Sequence, residues 1–394
     1  MEHAETPTGP RLRIAVLNRC FAPRCGGAER YSNKLCEALA QRHEIHVFAQ
    51  EIDAGLPGLH YHRVPRPLRR MRWLNQLFYA AWTAWATRHG FDVVHSHENT
   101  WVGEVQTIHV LPVRIGLFQN RNGQPLRGLR RFGRALSLIF SPRLLTYWLL
   151  EAARFRPRAG RVIVAVSETL RERMARAYPG SAAHFAVIPP GVEPPPQPLC
   201  QTQSRTRLGL PQSGPLLLFV GNDYAKKGLK VVLDAMRGLP ETVHLAVVGD
   251  PARIPPFRER AQNLGLESRV HFLGAVGDID AAYAAADLLV HPTTEDTFGM
   301  VILEAMAHAL PVVVSAAPWC GAAAELADGE EALLLADPGD AHALAGAVTR
   351  ILSDPPLREC LRRGGQAVVV RHAWDALARA QEEIYRKIVA GRDR

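Results

Sequence analysis

The chain has 394 residues, of which 47% are hydrophobic and 22% are charged, and its formal net charge at pH 7 is +9. The apolar fraction excludes a disordered chain, and the length exceeds what one hydrophobic core usually organises, so two domains are expected. The positive charge favours an anionic partner, for which nucleic acid, a membrane surface and phosphorylated substrates are the alternatives.

The first half of the chain alternates short apolar runs with segments of helical spacing. Arg13–Leu17 and Ile45–Ala49 have the length and apolar content of buried strands, and Ala28–Gln41 between them repeats its apolar residues at helical spacing. Further along, Val93–His97 includes the end of another predicted strand. This alternation predicts a parallel α/β sheet.

A second series of the same kind follows in the second half. Its predicted elements are the strands Leu216–Val220, Leu245–Val248, Val270–Leu273, Leu288–His291 and Pro311–Ser315 and the helix Gly228–Arg237. Between the two series, Pro189–Pro198 contains six prolines, which suit a stiff connection because proline continues neither a sheet nor a helix.

These patterns predict an α/β protein with two doubly wound parallel sheets. The expected division is a first domain over residues 11–190, a proline-rich linker over 191–210, a second domain over 211–372, and an amphipathic C-terminal helix over 373–394 that packs back on the first domain. Tandem sheets of this kind bind ligands at the carboxyl ends of their strands, so a central cleft between the facing domains is the expected site.

The cysteines indicate the redox compartment of the protein, and the apolar stretches indicate whether the chain crosses a membrane. The six cysteines lack a paired CxxC spacing, which argues against zinc ribbons and disulfide scaffolds and favours a reducing, cytoplasmic setting. The most apolar stretches, near Phe78–Ala86 and Ala135–Ala153, are interrupted by arginine or proline before reaching the length of a membrane span. No segment is expected to cross a bilayer.

A glycine-rich turn follows the first strand. Cys25, Gly26 and Gly27 precede Ala28 and Glu29 at the start of the first predicted helix. Glycines there let the backbone approach a ligand, and the free amides of a helix start face negative charge, which suits a phosphate or a sugar. A tight strand-to-helix turn that needs glycine for backbone reasons alone is the equally weighted alternative.

The run from His291 to Glu304 carries two acids eight residues apart, Asp296 and Glu304. On one continuous helix they would lie roughly 80° apart. Gly299 instead indicates a loop carrying Asp296, followed by a helix carrying Glu304. In that arrangement the loop acid suits sugar hydroxyls and the helix acid suits ribose hydroxyls, whereas a first-turn acid that only complements the helix dipole is the alternative for Glu304.

This run resembles the E-x7-E signature of glycosyltransferase family 4, retaining enzymes with the GT-B fold. Four further segments resemble the family's motifs in the same order: Gly26–Gly27, Val166–Glu168, Val187–Val192 and Phe219–Gly228. The resemblance implies two Rossmann-like domains, a nucleotide-diphosphate sugar as donor, and no cofactor or metal, because cationic side chains and helix termini hold the diphosphate.

The resemblance also implies residue roles. Lys227, Asp296 and His109 are the expected catalytic residues, with Lys227 neutralising the departing diphosphate. The expected donor-binding residues are Gly26, Gly27, Asn222, Lys226, Lys227, Glu295, Asp296, Phe298, Gly299, Met300, Val301 and Glu304. Asn222 stands where the family usually has arginine, with Lys226 a candidate for the second positive charge. Either Glu295 or Asp296 is expected to contact the donor sugar.

Three histidines near strand ends of the first domain have competing interpretations. His109 looks like the family's cleft histidine, which would lie beside the donor sugar, whereas a buried structural histidine is the alternative. His95, His97 and His109 together also suggest a metal cluster, but no acidic partner accompanies them, so this interpretation is the weaker one.

Arginines alternate with aromatic residues in two segments, Arg66–Arg88 and Arg114–Arg158. This composition suits an interface with anionic lipid headgroups, and an ordinary helical core with a basic face explains it equally well. No nucleic-acid motif accompanies the charge.

Within the family, Gly221–Gly228 and Pro189–Gly191 look closer to bacterial lipopolysaccharide core glucosyltransferases than to starch or sucrose enzymes. The resemblance implies transfer of a hexose, with UDP-glucose favoured as donor, to a carbohydrate or lipid-linked saccharide at the inner face of the cytoplasmic membrane. A sugar-nucleotide epimerase, a phosphorylase of the same fold and a non-catalytic nucleotide-sugar binding protein are the alternatives; no lysine segment typical of the phosphorylases' pyridoxal cofactor accompanies the pattern.

Overall fold

The computed structural model describes residues 9–22, 27–53, 55–68, 70–119 and 126–392. The chain divides into two compact units. The first comprises the described residues up to Pro190 together with those from Trp374 onward, and the second runs from Gly191 to Ala373.

The first unit contains a seven-stranded sheet in the order β5-β3-β1-β6-β7-β8-β9, with every neighbouring pair parallel. Its strands are β1 (Arg13–Leu17), β3 (Glu44–Ala49), β5 (Leu59–Arg63), β6 (Val93–Ser96), β7 (Val105–Ile108), β8 (Val162–Ala165) and β9 (Phe185–Val187). A separate two-stranded sheet pairs β2 (Cys20–Phe21) with β4 (Glu51–Ile52). The helices are α1 (Gly27–Ala40), α2 (Arg72–Ala86), α3 (Val113–Phe118), α4 (Gly128–Phe140), α5 (Pro142–Arg154), α6 (Glu168–Ala177) and the C-terminal α14 (Trp374–Arg392).

The second unit contains a six-stranded parallel sheet in the order β12-β11-β10-β13-β14-β15. Its strands are β10 (Leu216–Val220), β11 (His244–Val248), β12 (Val270–Gly274), β13 (Leu288–His291), β14 (Val312–Ser315) and β15 (Leu333–Leu335). Its helices are α7 (Gln201–Arg207), α8 (Leu229–Met236), α9 (Ile254–Asn263), α10 (Ile279–Ala285), α11 (Met300–Ala307), α12 (Ala341–Ser353) and α13 (Pro355–Arg371).

Both sheets reverse their strand order next to the first strand of the unit, between β1 and β6 and between β10 and β13. Such a reversal opens a crevice at the carboxyl ends of the two strands, where ligands of doubly wound sheets bind. The predicted fold class, two parallel-sheet α/β units, is confirmed. Helix α7 lies within residues 191–210, where the sequence suggested a linker.

The strands form where the sequence is continuously apolar, because helices cover both faces of a parallel sheet. Four of the five residues of β10 and all four of β13 are buried. Two helix starts show ordinary capping chemistry: the Asp340 carboxylate accepts hydrogen bonds from two backbone amides at the start of α12, and that of Asp354 accepts one from the amide of Leu357 in α13.

Two expectations from the sequence concerned membrane-spanning segments and the cysteines. No helix among the described residues has the length and apolar content needed to cross a membrane. Cys20 is disulfide-bonded, which the cysteine spacing did not predict, whereas Cys36, Cys200, Cys320 and Cys360 are free thiols.

Candidate functional site

Two loops at the carboxyl ends of β10 and β13 meet in the second unit. Gly228, at the start of α8, has φ 84°, and a Cβ there would lie 2.0 Å from the carbonyl oxygen of Pro292. Only glycine permits both this backbone conformation and this close approach. The carbonyl oxygen of Lys226 accepts hydrogen bonds from the backbone amide of Thr294 at 2.8 Å and from the hydroxyl of Thr293 at 3.2 Å. The two loops are therefore fixed against each other.

The inner part of this site is a lysine, an aspartate and a histidine. The Nζ of Lys227 forms an ion pair with Oδ2 of Asp296, and Nε2 of His291 lies 3.1 Å from the same oxygen. The side chains of Lys227 and Asp296 are 22% and 14% exposed, and that of His291 is fully buried. Low exposure strengthens these charge-assisted contacts relative to a surface pair.

The protonation states follow from these contacts. Burial alone would raise the pKa of Asp296, but the hydrogen bond to His291 and the charge of Lys227 outweigh it and hold that pKa below its usual range. Burial lowers the pKa of His291. At neutral pH the site thus contains an ionised Asp296 that accepts a hydrogen bond from a neutral His291.

The sequence left open which of two adjacent acids faces the site. The backbone amide of Asp296 donates to the carbonyl oxygen of Trp319 at 2.9 Å, and the amide of Gly321 donates to the carbonyl oxygen of Asp296 at 3.1 Å. This bridge turns the Asp296 side chain inward, toward Lys227. Glu295 instead pairs with Lys226 at 2.7 Å, and these side chains are 35% and 54% exposed.

Glu304 lies on α11, beyond the loop that carries Asp296, as the sequence predicted. Gly299 has φ 103° and begins the helix, so Met300 and Val301 form its first turn. Phe298 is buried, and its carbonyl oxygen accepts a hydrogen bond from the amide of Ala322 at 2.9 Å. The first amides of a helix have no partner within that helix and carry partial positive charge, which suits an anionic group.

A buried tyrosine orients the Glu304 carboxylate. The hydroxyl of Tyr283, on α10, donates to Oε2 of Glu304 at 2.7 Å. Glu304 is the fifth residue of α11 and is partly buried, so it is not an exposed first-turn acid. A carboxylate held in one orientation presents its acceptor lone pairs in fixed directions, as hydroxyl recognition requires.

Sequence reasoning did not assign roles to three residues near this site. His291 ends β13 and Tyr283 lies on α10; the position of His291 at a strand's carboxyl end was the signal that could have identified it. Arg253 follows the end of β11 and lies 3.3 Å from a carboxylate oxygen of Asp223, in the same loop as Asn222. Asn222 itself is exposed. Arg253 is thus a third cation near this loop, besides Lys226 and Lys227, that the lysine pattern did not reveal.

In the first unit, Gly27 begins α1, while Gly26 lies outside the described residues. His109 follows β7, and its Nε2 lies 2.9 Å from Nδ1 of His97. Burial, with a contribution from Arg154, lowers the pKa of His109 to about 3. His109 is therefore neutral at physiological pH.

His95 does not join the other two histidines in a metal cluster. Its Nδ1 lies 2.6 Å from the hydroxyl of Tyr385 on α14, and its Nε2 lies 2.7 Å from the hydroxyl of Thr107. Both ring nitrogens are thus engaged within the fold. The group in the described part of the chain whose side chains approach closely enough to share a metal ion is instead Glu44, His46 and His60.

The first unit also has a cavity lined by charged side chains and a helix with exposed apolar side chains. A cavity of about 230 Å³ lies near the ends of β1 and β3. Its lining includes three arginines and two glutamates, namely Arg19, Arg66, Arg72, Glu29 and Glu51. Arg66 pairs with Glu51, and Arg19 pairs with Glu98. Helix α4 buries none of its residues and exposes Leu129, Phe132, Ile139 and Phe140 by 66–91%, with four arginines on or beside it.

Two family models match the chain. The model of group 1 glycosyl transferases matches residues 201–368, and that of glycosyltransferase family 4 matches residues 25–194. The lipopolysaccharide glucosyltransferase WaaG of Escherichia coli is 31% identical over 54% of this chain and 58% of its own length. A D-inositol 3-phosphate glycosyltransferase of Acidothermus cellulolyticus is 30% identical over 77% of this chain and 68% of its own length.

Solved structures share the fold. The crystal structure of WaaG, a glycosyltransferase involved in lipopolysaccharide biosynthesis, has a TM-score of 0.76 and 23% identity, over 94% of this chain and 99% of its own. Anabaena HepE in complex with UDP and glucose has a TM-score of 0.73 and 20% identity, over 95% and 99%. These similarities concern the fold, and the WaaG sequence alignment spans little more than half of that relative.

Proposed function

This chain belongs to glycosyltransferase family 4, with the GT-B fold, and from that membership we propose that it transfers a hexose from a nucleotide-diphosphate sugar to a saccharide acceptor with retention of anomeric configuration. UDP-glucose is the favoured donor, since HepE has been crystallised with UDP and glucose and WaaG is named a glucosyltransferase. The observation that carries the proposal is the partly buried pairing of Lys227 with Asp296 beside the start of α11.

Lys227 stabilises the leaving group in this proposal. When the bond between the sugar's anomeric carbon and the diphosphate breaks, negative charge develops on the diphosphate, and a positioned ammonium lowers the energy of that state. Asp296 and His291 fix the Lys227 side chain before the donor binds, so little reorganisation accompanies the reaction. The first amides of α11, at Met300 and Val301, supply further positive potential.

Glu304 and Asp296 bind opposite ends of the donor. Glu304, oriented by Tyr283, accepts hydrogen bonds from the ribose hydroxyls. Asp296 is the inner acid and contacts the donor sugar, whereas Glu295 is tied to exposed Lys226. Lys226, Asn222, Phe298, Gly299, Gly26 and Gly27 complete the proposed donor contacts.

His109 contacts the transferred sugar as a neutral ring. A pKa of about 3 excludes an imidazolium at neutral pH, so His109 acts through hydrogen bonds and not as a general acid. The chemistry assigned to these side chains uses no metal ion or cofactor.

The acceptor is a phosphorylated, lipid-linked saccharide such as a lipopolysaccharide core, bound by the first unit. The cavity that Arg19, Arg66 and Arg72 line beside Glu29 and Glu51 offers guanidinium groups, which bind phosphate groups in bidentate geometry. Helix α4 suits the surface of an anionic membrane, because exposed apolar side chains beside arginines bind at the headgroup boundary. The protein would then act at the inner face of the cytoplasmic membrane.

The experiment is a donor and acceptor screen. Thermal shift with uridine, guanosine and adenosine diphosphate sugars selects the donor, and release of the nucleoside diphosphate is then measured with and without a truncated core oligosaccharide. We expect acceptor-dependent release and a product with the donor's anomeric configuration by NMR. Conversion of the donor without an acceptor would instead indicate an epimerase, and binding without turnover a non-catalytic binding protein.

A further inference from the structure

The edge of the first unit's sheet brings one glutamate and three histidines together on β3 and β5. In the parallel register of these strands His46 pairs with His60 and Phe48 with His62. Side chains two residues apart on a strand share a face, so Glu44, His46, His60 and His62 lie on the same side of the sheet. The rings of His46 and His60 stack with centroids 4.7 Å apart.

The donor atoms of three of these side chains converge. A carboxylate oxygen of Glu44, a ring nitrogen of His46 and a ring nitrogen of His60 all lie within 4.8 Å of one another. Two ligands of one zinc ion at tetrahedral angles are about 3.4 Å apart, given bonds of roughly 2.0–2.1 Å. Side-chain rotations that move these donor atoms by about an ångström would therefore bring all three onto one ion. Glu44 and His60 have room to move in this way, because Glu44 is 40% exposed and His60 is exposed.

The polar contacts of His46 bring further ring nitrogen and carboxylate atoms to this point. Its Nδ1 lies 2.8 Å from Nε2 of His62. Its Nε2 lies 2.7 Å from Oε1 of Glu44. The tautomer of His46 with its proton on Nδ1 presents the lone pair of Nε2 beside the Glu44 carboxylate, and this is the form in which an imidazole binds a metal ion through Nε2.

A cation is in fact present beside these atoms. Nε of Arg13 lies 3.2 Å from Oε1 of Glu44 and 3.3 Å from Nε2 of His46. The Arg13 side chain is 48% exposed, so it can move aside when an ion binds. The guanidinium thus marks where positive charge is stabilised by this pair of ligand atoms.

We propose that Glu44, His46 and His60 bind one Zn2+ ion in the first unit, with water as the fourth ligand. The set of two imidazoles, one carboxylate and an open position is a common zinc environment. His62 supports the ion indirectly, because the second nitrogen of a zinc-bound histidine is normally held by a hydrogen-bond partner. The bound ion would fasten edge strand β5 to β3, and sugar transfer would not require it.

The test uses the full-length chain without a histidine tag, freed of metal by chelation, and titrated with Zn2+ in a calorimeter. We expect one tight site per chain and a higher melting temperature with zinc. His60→Gln and His46→Gln should each weaken binding by more than the roughly 10–100-fold expected for His62→Gln, which removes only an outer partner. Arg13→Met should tighten binding, because it removes a competing cation.

His342→Gln, which removes an exposed histidine on α12, is the matched control and should leave zinc binding unchanged. Because His60 is exposed on an edge strand, His60→Gln is expected to fold, and its circular dichroism verifies this. The proposal is overturned if the folded His60→Gln protein binds zinc as tightly as the wild type, or if the wild type shows no saturable site.

Discussion

Nε2 of His291 lies 3.1 Å from Oδ2 of Asp296, the same carboxylate oxygen that pairs with Lys227. His291 ends β13, so the rigid sheet fixes the acid, and the acid in turn fixes the lysine proposed to stabilise the leaving diphosphate. Pre-organisation of this kind matters because a charge that is already in place costs no reorganisation when the diphosphate departs.

Replacing His291 should therefore lower turnover without removing any group that contacts the donor. We expect His291→Phe to reduce kcat by about tenfold and to raise the pKa of Asp296, because the carboxylate loses a hydrogen bond. His291→Gln keeps an amide donor at this position and should recover part of the rate. Steady-state kinetics with varied donor measure the change in kcat. Urea unfolding at a series of acidic pH values measures the change in the pKa of Asp296. Equal rates for both variants would contradict this positioning role.

Variants of Glu304 and of its partner Tyr283 should differ in their effects, because the first removes the carboxylate and the second only frees its orientation. Glu304→Ala removes the acceptor for the ribose hydroxyls, and we expect a loss of about a hundredfold or more in kcat/KM. Tyr283→Phe keeps the carboxylate but frees its orientation, so it should mainly raise the donor KM, by a few-fold. Steady-state kinetics with varied donor tests both changes. An unchanged KM and kcat in Glu304→Ala would reject the ribose contact.

Buried neutral histidines should make the protein unstable in acid. Burial lowers the pKa of His95 to about 3, with His109 and Arg154 adding to the effect, whereas an unfolded histidine takes up a proton below about 6.5. The unfolded state thus binds more protons between these values, and the free energy of unfolding falls as pH decreases from about 6.5 toward 3.

Each such histidine contributes at most about 1.4 kcal/mol per pH unit in that window. His95→Gln should therefore flatten the pH dependence of urea unfolding measured between pH 7 and pH 5, even though the variant is less stable at pH 7 because Tyr385 and Thr107 lose their partner. An unchanged slope would show that His95 takes up its proton over the same pH range in the folded and unfolded states, and so would contradict its lowered pKa.

Helix α4 should govern membrane binding. Ile139 and Phe140 are 72% and 78% exposed, and we expect the double variant Ile139→Ser, Phe140→Ser to weaken sedimentation with anionic vesicles by about tenfold or more. Val370→Ser is the control, because Val370 is 75% exposed on α13 in the other unit. High salt should weaken wild-type binding as well. Equal sedimentation of the α4 variant and the Val370→Ser control would contradict the role of α4 in membrane binding.

The sequence was sufficient to predict strands whose bounds depend on local composition alone. The bounds of β1, β10 and β13 agree with the apolar runs, because helices cover both faces of these strands and leave polar residues only at their ends. The loop-then-helix arrangement of Asp296 and Glu304 was also predictable, since Gly299 adopts a positive φ that ends one segment and begins the other.

The remaining features depend on contacts between distant segments. Asp296 faces inward and Glu295 outward because the backbone of Asp296 bonds to Trp319 and Gly321, more than 20 residues away. The group of Glu44, His46 and His60 requires the register of β3 against β5. Such pairings are set by the folded sheet, and the spacing of residues along the chain does not specify them.

The most direct test of the proposed function compares two lysines of neighbouring segments, Lys227 before α8 and Lys230 within it. Release of UDP from UDP-glucose, or of the nucleoside diphosphate from the donor selected by thermal shift, is measured with acceptor for the wild type, Lys227→Ala and Lys230→Ala. The Lys230 side chain is 65% exposed and pairs with Asp234, so its loss should leave the rate within a few-fold of wild type. We predict a loss of about a hundredfold or more for Lys227→Ala alone; a near-normal rate in that folded variant would contradict the leaving-group role on which the proposed function depends.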